Sequence, residues 1–249
     1  MSDVTRLLQA LLNGEDIGNF EPKSRMEAYL KNCCLASGIV GLPEPITETD
    51  ALLYQLAKKL GTGGGGAKEP YIEETYDADG NLIDVNLVGY TAIRHYAFYN
   101  CKNLALTSLP SEITSIGAGA FYNCYDLTLI SLPSGITSIG TYTFFNCYNL
   151  ALTSLPSGIT SIGTYAFYTC SSLALTSLPS GLTNIASYAF RDCTGLTSIT
   201  FHGKPSVIDG SAFVGCTNLK TINVPWASGE VANAPWGATN ATINYNYTG

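Results

Sequence analysis

Charge is what this chain of 249 residues has least of. Asp, Glu, Lys and Arg make up 12% of it, roughly half the share usual in a soluble domain, so much of the surface must be Ser, Thr, Asn, Gly and Tyr. The formal balance of −7 lacks the basic footprint of a nucleic-acid binder, and no nucleic-acid partner is expected. Histidine occurs only as His95 and His202. Neither can be set beside a nucleophile by role and geometry, so no catalytic residue is assigned. No stretch of about 18 apolar residues occurs, which predicts no membrane insertion. Met1 to Arg6 lacks a basic start and Leu7–Leu12 is interrupted by Gln9, so no signal peptide is expected. No glycine-rich loop joins a strand to a helix, so no phosphate site is expected.

What the chain has in abundance is self-similarity. Cys101, Cys124, Cys147, Cys170, Cys193 and Cys216 follow one another at a step of 23 residues. Phe98, Phe121, Phe144, Phe167, Phe190 and Phe213 keep that step, as do the Ile93–Ile208 and Leu104–Leu219 columns. A fixed period of this length is the mark of a solenoid. One turn carries too few apolar side chains to fold alone, whereas stacked turns bury Ile, Ala, Phe, Cys and Leu in a continuous column. Each large side chain so buried contributes about 1.5–3 kcal/mol, and only once the next turn covers it.

Within a unit, Leu150–Pro156 reads as a strand that stops at a residue with no N–H to donate. Ile159–Gly163 reads as a second short extended piece, and Thr164–Cys170 as a helical or 3₁₀ turn. The pattern Ile-Thr-Ser-Ile-Gly-x-x-Ala-Phe-x-x-Cys-x-x-Leu resembles the BspA-type leucine-rich repeat of bacterial surface and phage-borne proteins, over about 130 residues. The resemblance implies six 23-residue repeats with parallel strands and short helical or 3₁₀ turns; with a small helical region before them, read from residues 1–60, the fold class expected is α+β. One column departs from the family pattern. Ile130, Ile199 and Ile222 hold the usual aliphatic position two before the strand end, but Thr107, Thr153 and Thr176 replace it elsewhere, with Leu106, Leu152 and Leu175 one residue earlier. A shift of one residue turns a strand side chain to the other face. Either a bulge brings these leucines back to the core, or they form an exposed apolar stripe.

Both ends need caps. Asp79-Gly80 between two strand-like runs predicts a hairpin within 68–92. The repeats occupy 93–224. Residues 225–249, with Trp226, Trp236 and an Ala241–Tyr245 strand, read as the terminal cap. Residues 1–60 differ in kind, with apolar residues at helical spacing (Val4, Leu7, Leu8, Leu11, Leu12) and capping signals at Ser24/Glu27 and Thr47/Asp50. They resemble the helical lead-in of prophage tail-type proteins of gut bacteria, which implies an anchor or assembly region for a homo-oligomer or virion partner. A Gly-rich linker, 61–67, follows.

The in-register cysteines lack the short pairs that zinc sites use, and parallel side chains make poor disulfide geometry. We expect a column of buried thiols and no metal or cofactor. Cys33-Cys34 reads as a buried helix pair, with a crosslink between chains as the alternative. Asp77-Ala-Asp79-Gly80-Asn81 begins like a calcium loop but has Leu82 and Val88 where the EF-hand needs Gly and Glu. The repeats hold only Glu112, Asp126, Asp192 and Asp209, little for the paired carboxylates of a glycosidase. The candidate ligand-binding residues are aromatic. Tyr99, Tyr122, Phe145 and Tyr168 lie two residues before each Cys, and Tyr125 and Tyr148 just after it. They serve either as stacking that stiffens the turns or as a contact face for a protein or glycan. The expectation is a non-enzymatic recognition or attachment protein, phage- or prophage-borne, on a virion or extracellular surface, meeting a cell-surface protein or glycan. A bacterial adhesin and a virion decoration without external ligand are the alternatives.

Overall fold

The computed structural model describes residues 71–248. The expected helices of 1–60, the Gly-rich linker and Cys33-Cys34 lie outside the described residues. Two strands, β1 (Tyr71–Tyr76) and β2 (Leu82–Val88), form an antiparallel hairpin. The Asp77 carboxylate closes its turn by accepting the Asp79 and Asn81 backbone N–H groups at 3.0 and 2.8 Å and the Asn81 side-chain amide at 2.8 Å. Val85 and Leu87 of β2 are buried, and Ala105 N–H donates to Ile83 C=O, so the hairpin continues as the first edge of a solenoid.

The solenoid follows as a stack of turns in parallel register. The second extended piece of each turn supplies β3 (Ala92–Ile93), β4 (Ser115–Ile116), β5 (Ser138–Ile139), β6 (Ser161–Ile162), β8 (Asn184–Ile185) and β10 (Val207–Ile208). These pair as β3–β4 and as β5–β6–β8–β10, residue against residue one period on. The first extended piece supplies β7 (Ser177–Leu178), β9 (Ser198–Phe201), β11 (Thr221–Asn223) and β12 (Thr242–Asn244), paired in that order. Together these make about seven turns, the last being an imperfect one that begins with Trp236 at the place of a core phenylalanine.

The first extended piece departs from expectation in the early repeats. Leu106, Leu152 and Leu175 are buried, as is Leu129, which removes the exposed-stripe alternative. The two residues after each leucine both face outward before the chain turns in again. That irregularity leaves one inter-turn bond per step, such as Ala151 N–H to Leu129 C=O at 3.2 Å, and no regular strand in the first three repeats. Ile130, which the family pattern directs inward, is 61% exposed because Leu129 takes its place in the core.

The third side of each turn corrects the expected helical or 3₁₀ segment. Among the described residues it holds no helix, because its N–H groups alternate in direction. In the fourth turn Ala166, Tyr168 and Cys170 donate to the carbonyls three residues back, whereas Tyr165, Phe167 and Thr169 donate to Ser187, Ala189 and Arg191 of the next turn. Tyr165 and Thr169 adopt φ of 54° and 57°, a left-handed geometry that no helix can propagate.

The core is the set of columns that the period brings into line. Phe98, Phe121, Phe144, Phe167, Phe190 and Phe213 stack with centroids 5.1–5.5 Å apart. Thr143 takes an alanine place and is fully buried, its hydroxyl donating to Gly140 C=O at 2.9 Å. Cys124, Cys147, Cys170, Cys193 and Cys216 each donate the thiol proton to the phenylalanine carbonyl one turn below, at 2.9–3.1 Å. Cys101 differs. It is half-buried, with its sulfur 4.0 Å from its own Tyr99 carbonyl, because a hairpin and not a full turn lies beneath it. At the other end Trp236 is fully buried and donates Nε1–H to Ala232 C=O at 2.7 Å. Trp226 packs edge-on against Phe201.

Desolvation raises the thiol pKa of Cys124, Cys147 and Cys193 well above the ordinary 9.0, and that of Cys216 to about 12. A raised native pKa means that the stability is full below the unfolded thiol pKa and is lost as pH climbs toward the native one. Once the unfolded thiols ionise, each buried thiol removes about 1.4 kcal/mol per pH unit. We expect the urea midpoint to fall steadily from about pH 8.5 upward. A midpoint unchanged to pH 10 would show that the thiols are not sealed in the core. Native thiol titration should meanwhile label Cys101 among these six and leave the other five unreacted.

Candidate functional site

The aromatic side chains outside the core gather where each turn carries its two left-handed residues. The residue before each Cys is one, as Asn100, Asn123, Asn146, Thr169 and Asp192. Asn tolerates that geometry, and here the amides also join turns, Asn146 donating to Asn123 and Asn123 to Asn100 at 2.9 and 2.8 Å. The other left-handed place holds Tyr96, Tyr142, Tyr165 and Tyr188, with φ of 54–57°, and glycine only at Gly119, with φ of 63°. A bulky side chain there is a true outlier, costing about 1–3 kcal/mol, and the chain repeats it four times. Sequence reading passed over these tyrosines. Their signal was a Tyr column at the 23-residue step with a single Gly in it, a pattern that marks a position whose backbone suits glycine.

Two ladders result. Tyr99, Tyr122, Phe145 and Tyr168 stack at 4.4–5.1 Å with planes 6–24° apart. Tyr142, Tyr165 and Tyr188 stack at 5.3 and 5.0 Å. The ladders meet edge to face, Tyr142 against Phe145 at 5.7 Å and Tyr165 against Tyr168 at 5.6 Å. Tyr96 meets Tyr99 in the same way, and its ring lies over Gly119 where any Cβ would collide with it. Arg191 closes the far end, its guanidinium 5.7 Å from the Tyr168 ring and 5.3 Å from Tyr188, tethered by Asp192 at 3.2 Å. Between them lies an open groove of about 590 Å³ lined by Tyr96, Tyr99, Tyr122, Tyr142, Phe145, Tyr165, Tyr168 and Arg191. No carboxylate lines it. The Tyr122 phenol is raised above its ordinary pKa by partial burial first and by neighbouring tyrosines second, so at neutral pH it stays a donor.

Of the residues expected to bind, Tyr99, Tyr122, Phe145 and Tyr168 line this groove. Tyr125 and Tyr148 form a separate stacked pair at 5.0 Å, with Lys102 above Tyr125. In both cases most ring faces are turned to the next ring, so what reaches solvent is ring edges and hydroxyls. The remaining polar candidates serve the backbone. Asp126 accepts from Asn149, Asp209 accepts the Ser211 N–H, and His95 Nδ1 accepts the Ala118 N–H at 2.8 Å. Bonds from Ser211 hold the Asp209 carboxyl below its ordinary pKa.

The pattern described as BspA type leucine rich repeat region matches residues 91–220 in six copies. Among solved structures, the chain is similar to a leucine-rich repeat protein of T. pallidum, at 28% identity and a TM-score of 0.49, over 65% of this chain and 85% of that one. It is also similar to a leucine-rich repeat protein from Bacteroides ovatus, at 25% identity and a TM-score of 0.46, over 64% of this chain and 46% of that one. The pneumococcal vaccine antigen PcpA gives 25% identity and a TM-score of 0.45, over 64% of this chain and 38% of that one. The chain thus spans less than half the length of the last two. No curated protein sequence matches it.

The left-handed tyrosines carry a testable balance. Stacking returns about 0.5–1.5 kcal/mol per pair, and Tyr165 stacks on both Tyr142 and Tyr188, so about 1–3 kcal/mol is set against the about 1–3 kcal/mol that the backbone geometry costs. Tyr165→Gly should therefore change unfolding free energy by less than about 1 kcal/mol, whereas Phe167→Ala two residues on should cost about 3–5 kcal/mol. Urea denaturation of the two variants decides. Equal losses would make the outer tyrosines part of the stability of the fold.

Proposed function

This chain belongs to the BspA-type leucine-rich repeat family, and from that premise we propose that it is a non-enzymatic recognition protein whose aromatic groove is the contact surface. The observation that carries this reading is the repetition of left-handed tyrosines. Strained backbone that returns at turn after turn, and that places hydroxyls and ring edges in one open groove, is hard to attribute to stability when glycine fits the same place. The lining, in which Arg191 is the one charged residue and is paired with Asp192, also suits binding that relies on contact area and not on steering, so affinity should change little with salt.

Two settings fit such a protein. In the first, residues 1–60 attach it to a phage or prophage particle and the solenoid meets the bacterial surface. The resemblance of that segment to tail-type lead-ins supports it. In the second, it is a bacterial surface adhesin, which the repeat family supports equally. Antibody labelling of purified particles and of washed cells separates the two: signal on particles that is lost when residues 1–60 are deleted favours the first.

For the contact surface itself, we expect replacement of Tyr122, Tyr142, Tyr165 and Tyr168 by Ser to leave the far-ultraviolet circular dichroism unchanged and to weaken binding to intact bacterial cells at least tenfold, about 1.4 kcal/mol. A folded variant that binds cells as the parent does would remove the groove from the function.

A further inference from the structure

We infer that the groove takes an extended, unbranched polysaccharide strand laid along the solenoid axis, one sugar ring to about one turn; this rests on the groove being the recognition surface. The first argument is pitch. The rungs recur at 4.4–5.3 Å, and the same two columns supply successive rungs, so a ligand lying along them should repeat at a similar step. An extended peptide returns a side chain to one face only every second residue, about 6.6–6.8 Å. A polyproline helix does so every third, about 9.3 Å. The extended peptide falls out of step with the rungs and the polyproline helix would meet only every second one, whereas a linked pyranose ring is close to one rung in length.

The second argument is hydrogen bonding. Peptides that bind along a regular scaffold do so by pairing with a free backbone edge. Here the backbone under the groove is already used, Asn100, Asn123, Asn146 and Thr169 donating to the next turn at Tyr122, Phe145, Tyr168 and Arg191. What remains is two rows of phenol hydroxyls, interrupted at Phe145 and at Gly119, each hydroxyl able both to donate and to accept, which is the pairing that sugar hydroxyls need. The third argument is the orientation of the rings. Because their faces are stacked on one another, they offer edges, the electropositive part of the ring, and edges favour oxygen lone pairs over apolar side chains. No carboxylate in the lining repels such a ligand, and Arg191 at one end adds a donor.

The full-length protein is to be screened on an array of purified microbial and host polysaccharides. Isothermal titration then uses linear oligomers of two to eight units cut from whichever polysaccharide binds, with decaproline as the peptide probe. Affinity should rise with oligomer length and level off once the groove is spanned, and decaproline should not bind. The variant with Tyr122, Tyr142, Tyr165 and Tyr168 replaced by Phe keeps the ladders and removes four hydroxyls, and should lose at least tenfold. Binding to no arrayed polysaccharide, affinity independent of length, binding of decaproline, or an unaffected Phe variant would each overturn the inference. A panel of intact bacterial strains, before and after protease shaving, distinguishes its failure from that of the recognition reading. Retained binding after shaving agrees with a polysaccharide. Binding that shaving abolishes overturns the polysaccharide and leaves recognition standing, and binding to no strain removes both.

Discussion

The structure depends on one constraint: each turn must satisfy its backbone through the turn beside it. In the outer segment alternate N–H groups leave for the neighbouring turn, from Tyr165 to Ser187, Phe167 to Ala189 and Thr169 to Arg191. The intervening ones fold back three residues. This makes the segment a ladder with the connectivity of a strand and the compactness of a turn, and it fixes the register at 23 residues more firmly than the two-residue strands can. The five sealed thiols belong to the same network. The carbonyls of Phe98, Phe121, Phe144, Phe167 and Phe190 each accept both the Cys N–H of their own turn and the Cys thiol of the next. Serine there would bring a stronger donor but would also place a more polar group in an apolar column, whereas a thiol behaves as a small hydrophobe with a weak donor.

That register explains how an almost uncharged surface can carry specific groups in fixed array. Residues a period apart are held about one strand spacing apart, so any aromatic repeated at the same place is driven into a stack. The outer tyrosines are therefore positioned by the backbone ladder and not by their own packing. A groove formed in this way is rigid, shallow and built from the same columns along its length, which favours a long repetitive ligand over a compact one and lowers the ordering cost of binding.

Much of this was legible in the residues. The Ile, Phe, Cys and Leu columns and the parallel register follow from the period alone, the hairpin follows from Asp79-Gly80 between two strand-like runs, and Trp226 and Trp236 mark the terminal end. Four of the aromatic candidates also reach the groove. What could not be read arises where period and local geometry interact. Leu106, Leu152 and Leu175 looked misplaced by alternation, but the chain takes two outward residues in succession after each and keeps them buried; Ile130 is displaced as a result. The Thr164–Cys170 segment has the length of a helical turn, yet Tyr165 and Thr169 are left-handed, a property that tyrosine and threonine do not advertise. The stacking of ring faces, which decides what a ligand would meet, depends on side-chain directions that spacing does not give.

The account stands on the outer segment being part of the inter-turn ladder and not a loop, since only then is the groove preorganised. Native-state hydrogen exchange resolves this amide by amide. The amides of Tyr165, Phe167 and Thr169 should exchange as slowly as those of Thr160 and Gly163, which donate to Thr137 and Ile139 of the preceding turn, through global unfolding. Fast local exchange at those three amides, with the strands still protected, would show that the segment opens independently and would contradict the account.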